Sequence, residues 1–256
     1  MTRNRAPFRI TGTVAITLTL LLLAASLGIN VYLVEVARGY FAKAESLRLD
    51  PAGLSVYATE RAKAAPTHPL VVLFGDSRAY MWTEPAMPAG FRVVNRGIGF
   101  QTTAQMLLRF DADVAALRPD VIVLEAGVND LKAIADFPAQ RDEIVDHCEG
   151  NLARIVGLGR QTGARIVIVT VFDIGDVSVW RRPFWTDDVE AAVREVNAFL
   201  PTLAADRVVV FDSRPILDDD RGRVRRPYQL DHLHLTRAGY DALNQRLAPF
   251  LSALPK

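Results

Sequence analysis

A strand-like apolar run stops at a glycine, and a serine follows two residues later, in the segment Leu70-Val71-Val72-Leu73-Phe74-Gly75-Asp76-Ser77. Buried strands of a parallel sheet are rich in β-branched and aliphatic residues, and ligands bind where such strands end. A serine hydroxyl is a poor nucleophile unless a neighbouring base takes its proton. Ser77 is therefore a candidate nucleophile, and the rest of the chain must supply a base and donors for an oxyanion.

The candidate base lies near the C-terminus, in Asp231-His232-Leu233-His234. A histidine base needs an acceptor on its second ring nitrogen, and Asp231 stands three residues before His234, within reach on one turn of chain. We therefore expect His234 to be the base and Asp231 to orient it. His232 is the alternative base, or half of a His-x-His metal pair, although the sequence offers no evident third ligand.

Two further apolar runs end in residues that could stabilise an oxyanion. Asn95-Arg96-Gly97-Ile98-Gly99 follows the second run, and Gly127-Val128-Asn129-Asp130 follows the third. A tetrahedral intermediate needs N–H donors aimed at its oxygen, and a glycine backbone or an asparagine amide can provide them. Gly97 and Asn129 are the candidate donors. The alternative role for Asn129 is to cap the helix that follows it.

Five short runs rich in Val and Ile predict the strands that position these residues. They are Leu70–Phe74, Arg92–Asn95, Val121–Glu125, Arg165–Thr170 and Val208–Asp212. Segments with helical spacing of apolar residues lie between and after them: Thr103–Leu117, Asp142–Gln161, Asp187–Ala205 and Thr236–Leu254. This alternation predicts an α/β fold, in which a parallel sheet carries helices on both faces and the site lies beyond the carboxyl ends of the strands.

The charge balance argues against nucleic acid as a partner. The 256-residue chain has 30 basic and 29 acidic residues, for a net charge of +1. A protein this close to neutral is not expected to bind nucleic acid as its main task, so we expect no such partner. The single cysteine, Cys148, excludes an intrachain disulfide and a cysteine-based zinc site.

Residues 14–34 carry no charge, and a helix needs about 20 such residues to cross a bilayer. The basic residues before this stretch favour a cytoplasmic N-terminus. A cleaved signal peptide is the alternative, with Ala24-Ala25-Ser26 as the cleavage region. Signal h-regions usually run about 7–15 residues, whereas the apolar stretch here continues to Val34, so we expect an uncleaved anchor.

The expected organisation has four parts. A cytoplasmic tail covers residues 1–13, a transmembrane signal anchor 14–36, a juxtamembrane connector 37–69, and the catalytic body 70–256. The expected location is the bacterial inner membrane, crossed once, with the N-terminus cytoplasmic and the body outside the cytoplasm. If the anchor were cleaved, the body would be secreted.

The four blocks together resemble the SGNH hydrolases, also called GDSL esterases and lipases. The resemblance covers residues 70–254 and rests on Gly75-Asp76-Ser77, Gly97, Gly127-Val128-Asn129-Asp130, and Asp231 to His234, in that order. It implies a three-layer α/β/α sandwich with a flavodoxin-like sheet of about five parallel strands, preceded here by one transmembrane helix. It also implies a serine nucleophile with a histidine base, and neither a cofactor nor a metal.

The resemblance also assigns roles to individual residues. Ser77 would be the nucleophile, His234 the base and Asp231 its orienting acid. The oxyanion hole would consist of the Ser77 N–H, the Gly97 N–H and the Asn129 side chain. Four further residues would shape the loops around the site: Gly75, Asp76, Gly127 and Asp130.

Three positions depart from the family's pattern. Arg78 follows the nucleophile where an aliphatic residue is usual, and it is either a loop salt bridge or a contact to a substrate anion. Phe100 stands where a glycine is frequent, and its bulk would restrict the acyl group to a short one. His232 stands where a small residue is frequent.

An aromatic and basic segment, Trp180-Arg181-Arg182-Pro183-Phe184-Trp185, follows the fourth predicted strand. Its position at the active edge allows two interpretations. It is either a packed loop or a lid whose Trp180 and Trp185 contact sugar rings or lipid headgroups of the substrate.

The expected function is hydrolysis of carboxylic esters through a Ser-His-Asp triad and an acyl-enzyme. The substrate would be a small-molecule, lipid or polysaccharide ester, with a short-chain or O-acetyl ester of the cell envelope favoured. An acyltransferase with the same triad is one alternative, and a non-catalytic binding module tethered to the membrane is another. An α/β-hydrolase is not indicated, because Ser77 lacks the Gly-x-Ser-x-Gly context of that fold.

Overall fold

Helix α1, Gly12–Leu49, dominates the first of the two units into which the chain divides, Met1–Pro51 and Ala52–Lys256. The computed structural model describes residues 12–63, 69–83, 85–87 and 89–253. By length and composition α1 could cross a membrane, a test that a signal sequence near an N-terminus also passes. The helix extends beyond the predicted span into the predicted connector, and most of the predicted tail lies outside the described residues.

The second unit is built on a five-stranded sheet. Its strands are β1 (Leu70–Gly75), β2 (Arg92–Gly97), β3 (Val121–Glu125), β4 (Arg165–Val169) and β5 (Val208–Phe211). The strand order is β2-β1-β3-β4-β5, and every neighbouring pair is parallel. The predicted α/β fold with a parallel sheet of five strands is therefore confirmed, with strand ends shifted by two residues at most.

Helices cover the sheet on both sides. In chain order the remaining helices are α2 (Ala58–Lys63), α3 (Ser77–Met81), α4 (Thr103–Asp113), α5 (Val128–Leu131), α6 (Arg141–Gln161), α7 (Asp187–Phe199), α8 (Arg214–Leu217) and α9 (Arg237–Ser252). The long helices correspond to the four predicted ones, but α4 and α7 end four and six residues earlier than expected, and α9 ends two residues earlier. The α-helical hydrogen bonding of α4 and α7 gives way to 3₁₀ turns at Ala115–Leu117 and Leu200–Leu203.

The alternation of side chains along β1 explains the three layers. Leu70, Val72 and Phe74 belong to one apolar cluster, which also contains residues of α4, α6 and α7. Val71 and Leu73 belong to the other, which contains residues of α3 and α9. All six residues of β1 are buried, because successive strand side chains point to opposite faces and both faces are covered.

The second unit starts before the first strand. It begins at Ala52, so residues 52–63 of the predicted connector belong to the body rather than to a separate linker. Residues 64–68 lie outside the described residues.

Candidate active site

Ser77 lies at the carboxyl edge of the sheet, after a turn in which there is no room for a side chain at Gly75. A Cβ at Gly75 would collide with the carbonyl oxygen of Glu125 on the neighbouring strand. Asp76 then caps helix α3, and its Oδ1 accepts a hydrogen bond from the Arg78 N–H at 2.9 Å. The cap starts α3 at Ser77, so the nucleophile candidate stands at a strand-to-helix turn. Burial raises the pKa of the Asp76 carboxyl.

Ser77, His234 and Asp231 form a continuous hydrogen-bonded chain. Ser77 Oγ lies 2.9 Å from His234 Nε2, and His234 Nδ1 lies 2.9 Å from Asp231 Oδ2. Ser77 and His234 are 157 residues apart in sequence. The structure thus brings together the three residues that the sequence suggested as nucleophile, base and orienting acid.

The loop that carries Asp231 also fixes the direction of its carboxylate. Asp231 Oδ1 accepts hydrogen bonds from the backbone N–H groups of Leu233, at 2.7 Å, and His234, at 2.8 Å. Partial burial acts to raise the pKa of Asp231, but the hydrogen bonds from the His234 ring and these two N–H groups hold it well below its usual range. The ionised carboxylate favours a proton on His234 Nδ1, which leaves Nε2 as the acceptor that faces Ser77.

Asn129 and Gly97 differ in their suitability as oxyanion donors. Asn129 is buried in the first turn of α5, and its Nδ2 donates to the Gln101 carbonyl at 3.1 Å, which leaves its second N–H for a ligand. The Gly97 N–H donates to Asn95 Oδ1 at 2.8 Å, and Gly97 packs against the backbone of Tyr80. The predicted donor role of Gly97 is therefore contradicted, because its N–H already has a side-chain acceptor.

The loop after β2 approaches the nucleophile two residues later. A Cβ added at Gly99 would lie 3.9 Å from the Cβ of Ser77, and the next residue, Phe100, has a left-handed φ of 68°. Left-handed backbone is uncommon outside glycine and often marks functional sites. The sequence signal for this turn was present, because Phe100 occupies a position where the resembled family often has glycine.

Asp130 and Gly127 shape the loop that carries Asn129. Asp130 accepts two hydrogen bonds from Thr103, one from the backbone N–H at 2.9 Å and one from the hydroxyl at 2.6 Å, and so ties α5 to α4. Burial raises the pKa of Asp130 to about 6, even though these hydrogen bonds oppose the shift. Gly127 has φ 120°, and a Cβ there would lie 3.2 Å from Cys148 Sγ.

Arg78 is not placed to touch a substrate. Its side chain is fully buried, its Nε donates to the Leu233 carbonyl at 2.8 Å, and its Nη1 lies 3.8 Å from Glu125 Oε1. The predicted contact between Arg78 and a substrate anion is therefore contradicted. The other interpretation, a loop salt bridge, is closer to what the structure shows, although the ion pair is buried and joins Arg78 on α3 to Glu125 at the end of β3.

The two tryptophans of the segment after β4 have different environments. Trp185 is half-buried, and its ring packs edge-on against His232 with 4.9 Å between the centroids. Burial lowers the pKa of His232, which suits a neutral packing residue. Trp180 is 87% exposed. Phe100 is 60% exposed, and Lys132 Nζ lies 5.2 Å from the centroid of its ring.

Among the residues that the structure describes, no three His, Cys, Asp or Glu side chains form a group that could hold a metal ion. The site brings together a hydroxyl, an imidazole, a carboxylate and the Asn129 amide. These groups can activate a serine, accept its proton and neutralise an oxyanion.

The chain is similar to a known esterase over part of its length. An acetylxylan esterase from Geobacillus stearothermophilus is 32% identical over 87 residues, which are 33% of this chain and 40% of the esterase. The chain thus spans less than half the length of that relative.

Solved structures share the fold. A GDSL-like lipase from Bacteroides thetaiotaomicron has a TM-score of 0.63 and 24% identity, covering 78% of this chain and 98% of the lipase. A catalytic mutant of an acetylxylan esterase from Geobacillus stearothermophilus has a TM-score of 0.56 and 18% identity, covering 72% of this chain and 94% of the esterase. Residues 64–242 match the GDSL-like lipase/acylhydrolase family over more than half of the chain, and the protein therefore belongs to that family.

Proposed function

We propose that the protein is a serine hydrolase of carboxylic esters. The observation that carries the proposal is the hydrogen-bonded chain from Ser77 through His234 to Asp231, with 2.9 Å at each link. Family membership supports the same reaction class.

In the proposed reaction, Ser77 Oγ attacks the acyl carbonyl carbon while its proton passes to His234 Nε2. The carbonyl oxygen becomes an oxyanion, and the tetrahedral intermediate collapses as the leaving alcohol takes the proton from Nε2. Water then attacks the acyl-enzyme and gives a proton to the same nitrogen. Collapse of the second intermediate releases the carboxylic acid and returns the proton to Ser77 Oγ. Asp231 holds the imidazole and stabilises its charged form throughout.

Covalent labelling tests whether this chemistry exists. A fluorophosphonate probe reacts with an activated serine and should label the folded protein at Ser77. Folded protein that takes up no label would favour the binding module instead. Transfer of an acyl group to a sugar hydroxyl faster than to water would favour the acyltransferase.

The oxyanion is stabilised in this proposal by three donors: the Ser77 N–H, the Asn129 side chain and a backbone N–H of the Gly99-Phe100 turn. The last replaces Gly97, whose N–H donates to Asn95. The donor role of Asn129 is supported by its burial beside the loop that approaches Ser77.

Replacing Asn129 by alanine should lower kcat by roughly 10²–10³-fold with a smaller change in KM, the scale for loss of one oxyanion donor. Steady-state kinetics on an aryl acetate would measure this. Asn151→Ala is a useful control, because Asn151 also bonds near this loop, to Thr103, but is not a proposed donor. An Asn129→Ala protein as active as the parent would remove Asn129 from the site.

The proposed substrate is a short-chain or O-acetyl ester, such as those carried by polysaccharides of the cell envelope. The partial match to an acetylxylan esterase supports an acetyl ester, and the exposed Phe100 ring beside Ser77's loop supports a short acyl group. Trp180 is proposed to stack on a sugar ring, because it is highly exposed and belongs to the segment that follows the carboxyl end of β4.

The parent protein should therefore hydrolyse acetyl esters faster than octanoyl esters of the same alcohol. Phe100→Ala should lower the ratio of acetyl to octanoyl turnover, because it removes the side chain that limits the length of the acyl group. A series of p-nitrophenyl esters from acetyl to octanoyl measures both effects. Faster octanoyl than acetyl turnover by the parent would contradict the role given to Phe100.

The proposed location is the bacterial inner membrane, with α1 as the anchor and the catalytic unit outside the cytoplasm. The length and apolar composition of α1 and the basic residues that precede it support this placement. A reporter fused after Lys256 that is active only in the cytoplasm would contradict it.

A further inference from the structure

A segment that precedes the family-matched residues lies against the loop after β2. Residues 52–60, called here the N-terminal brace, belong to the same unit as the sheet, whereas the family match begins at residue 64. The loop that the brace contacts, residues 97–101, includes Gly99, where an added Cβ would lie 3.9 Å from the Cβ of Ser77. The brace contacts both ends of this loop: Tyr57 contacts Gly97, at the first end, and Ala52 contacts Gln101, at the second end.

At the first end, Tyr57 holds the residue where β2 finishes. Its hydroxyl donates to the Gly97 carbonyl, and its ring lies under the Arg96 guanidinium with 4.5 Å to the centroid. Arg96 Nη1 in turn contacts Glu60 Oε2 at 2.7 Å. Tyr57 and Arg96 are both buried, and burial raises the pKa of Tyr57, which keeps its hydroxyl protonated as a donor.

At the second end, Ala52 and Gly53 meet Gln101. Gln101 Nε2 donates to the Ala52 carbonyl at 2.8 Å, and the Gln101 carbonyl accepts from Asn129 Nδ2 at 3.1 Å. Gly53 has φ 70°, and a Cβ there would lie 2.8 Å from Gln101 Nε2 and 3.0 Å from Ile98 Cδ1. Gln101 thus connects the brace to the proposed side-chain donor of the oxyanion hole.

We propose that the N-terminal brace is a positioning element that fixes the oxyanion loop relative to Ser77. The inference rests on the proposed function, since it assigns the loop a role in stabilising the oxyanion. Donors act on a transition state only when they are held in place before reaction, and misplacement by about 1 Å can cost 10²-fold in rate. Contacts at both ends of residues 97–101 provide that restraint, and they come from chain outside the family-matched residues.

The first test is Tyr57→Phe in the full-length protein, which removes the hydroxyl and keeps the ring under Arg96. We expect kcat per active site to fall about tenfold with KM nearly unchanged. Active sites are counted by end-point labelling with the fluorophosphonate probe, so a variant that merely folds less well loses labelled sites and keeps its kcat per site. Tyr40→Phe, in α1, removes a tyrosine hydroxyl outside the brace and should match the parent.

The second test is Gly53→Ala, which strains a left-handed residue and displaces the Gln101 amide and the brace relative to each other, at the hydrogen bond from Gln101 to Ala52. Gly222 has φ 69° and open space around its Cβ position, so Gly222→Ala imposes the same backbone strain without a collision. Both variants should lower the melting temperature, but only Gly53→Ala should lower kcat per labelled site. A boronic-acid mimic of the tetrahedral intermediate should also bind more weakly to Gly53→Ala and Tyr57→Phe, in proportion to the loss of kcat/KM.

The outcomes separate this inference from the proposed function. If Tyr57→Phe and Gly53→Ala keep the kcat of the parent per labelled site, the brace does not position the loop. If Ser77 takes no label and its loss leaves hydrolysis intact, the proposed function itself fails. A loss of labelled sites alone would also overturn the inference, because it would assign the brace to folding.

Discussion

Ser77→Ala is expected to reduce ester hydrolysis by roughly 10⁴-fold or more, which is the scale for removing the nucleophile of a triad. The hydroxyl that His234 contacts at 2.9 Å is then absent, so no acyl-enzyme can form. The rate that remains comes from substrate binding and oxyanion stabilisation, which the variant keeps. The measurement is the initial rate on an aryl acetate, with fluorophosphonate labelling in parallel.

The fold of the Ser77→Ala variant should be unchanged, because the Asp76 cap and the Gly75 turn that start α3 do not use the serine hydroxyl. Ser252→Ala is a suitable control. Ser252 lies in the last turn of α9 and bonds only locally, to the Ala248 carbonyl, among the contacts described. Full activity in a Ser77→Ala protein that no longer takes label would mean that the hydrolysis comes from another group.

The sheet could be predicted from sequence because its physical cause is local. The strands β1 and β3 are buried along their whole length, so each must consist almost wholly of apolar residues. The ends of helices were predicted less well. The segment 187–205 has helical spacing throughout, yet α7 ends at Phe199 before a 3₁₀ turn that contains Pro201, a residue without an N–H to donate.

The candidate triad could be found for a similar reason. Asp231 and His234 are three residues apart, so their contact depends on one turn of chain, and Ser77 follows a recognisable strand. The direction of the Gly97 N–H could not be found in this way. It depends on the conformation of Asn95, whose side-chain oxygen takes the hydrogen bond that an oxyanion would need.

The burial of Arg78 and the contact that Tyr57 makes could not be predicted from the sequence. An arginine beside a nucleophile is usually exposed, and only the positions of Glu125 on β3 and Leu233 near the C-terminus explain why this one is buried. The contact between Tyr57 and Gly97 joins residues that no local pattern connects. Both depend on tertiary packing, which a single sequence does not reveal.

Replacing Arg78 by methionine is expected to destabilise the fold by about 3–5 kcal/mol near neutral pH, the scale for breaking a buried ion pair. The guanidinium is the cation that faces the fully buried carboxyls of Asp76 and Glu125, and it also holds the Leu233 carbonyl beside His234. Methionine fills similar space but removes the positive charge that acts most strongly on Asp76 and that acts on Glu125. Urea unfolding at several pH values measures the effect.

The pH dependence of this loss follows from the two carboxyls. Burial already raises the pKa of Asp76, and burial together with Asp76 raises the pKa of Glu125 well above its usual value. Arg78 opposes both shifts, so its removal raises both folded-state pKa values further. A carboxyl whose pKa is higher in the folded state than in the unfolded state contributes fully to the free energy of unfolding below the unfolded-state pKa of about 4. That contribution is lost as the pH rises toward the folded-state pKa. The penalty of Arg78→Met should therefore grow between pH 4 and pH 8.

A second substitution separates charge from packing in this cluster. Glu125→Gln removes one of the two carboxylates on which the charge of Arg78 acts. The double variant Arg78→Met/Glu125→Gln should therefore be more stable at pH 8 than Arg78→Met alone, because replacement of both partners of a buried ion pair is often tolerated. Arg154→Met, which replaces an exposed arginine on α6, should change stability little. The contradicting result is that Arg78→Met lowers the free energy of unfolding equally at pH 5 and pH 8 and that Glu125→Gln restores none of the loss. Arg78 would then act through packing and its contact to Leu233, and not through its charge on the two carboxyls.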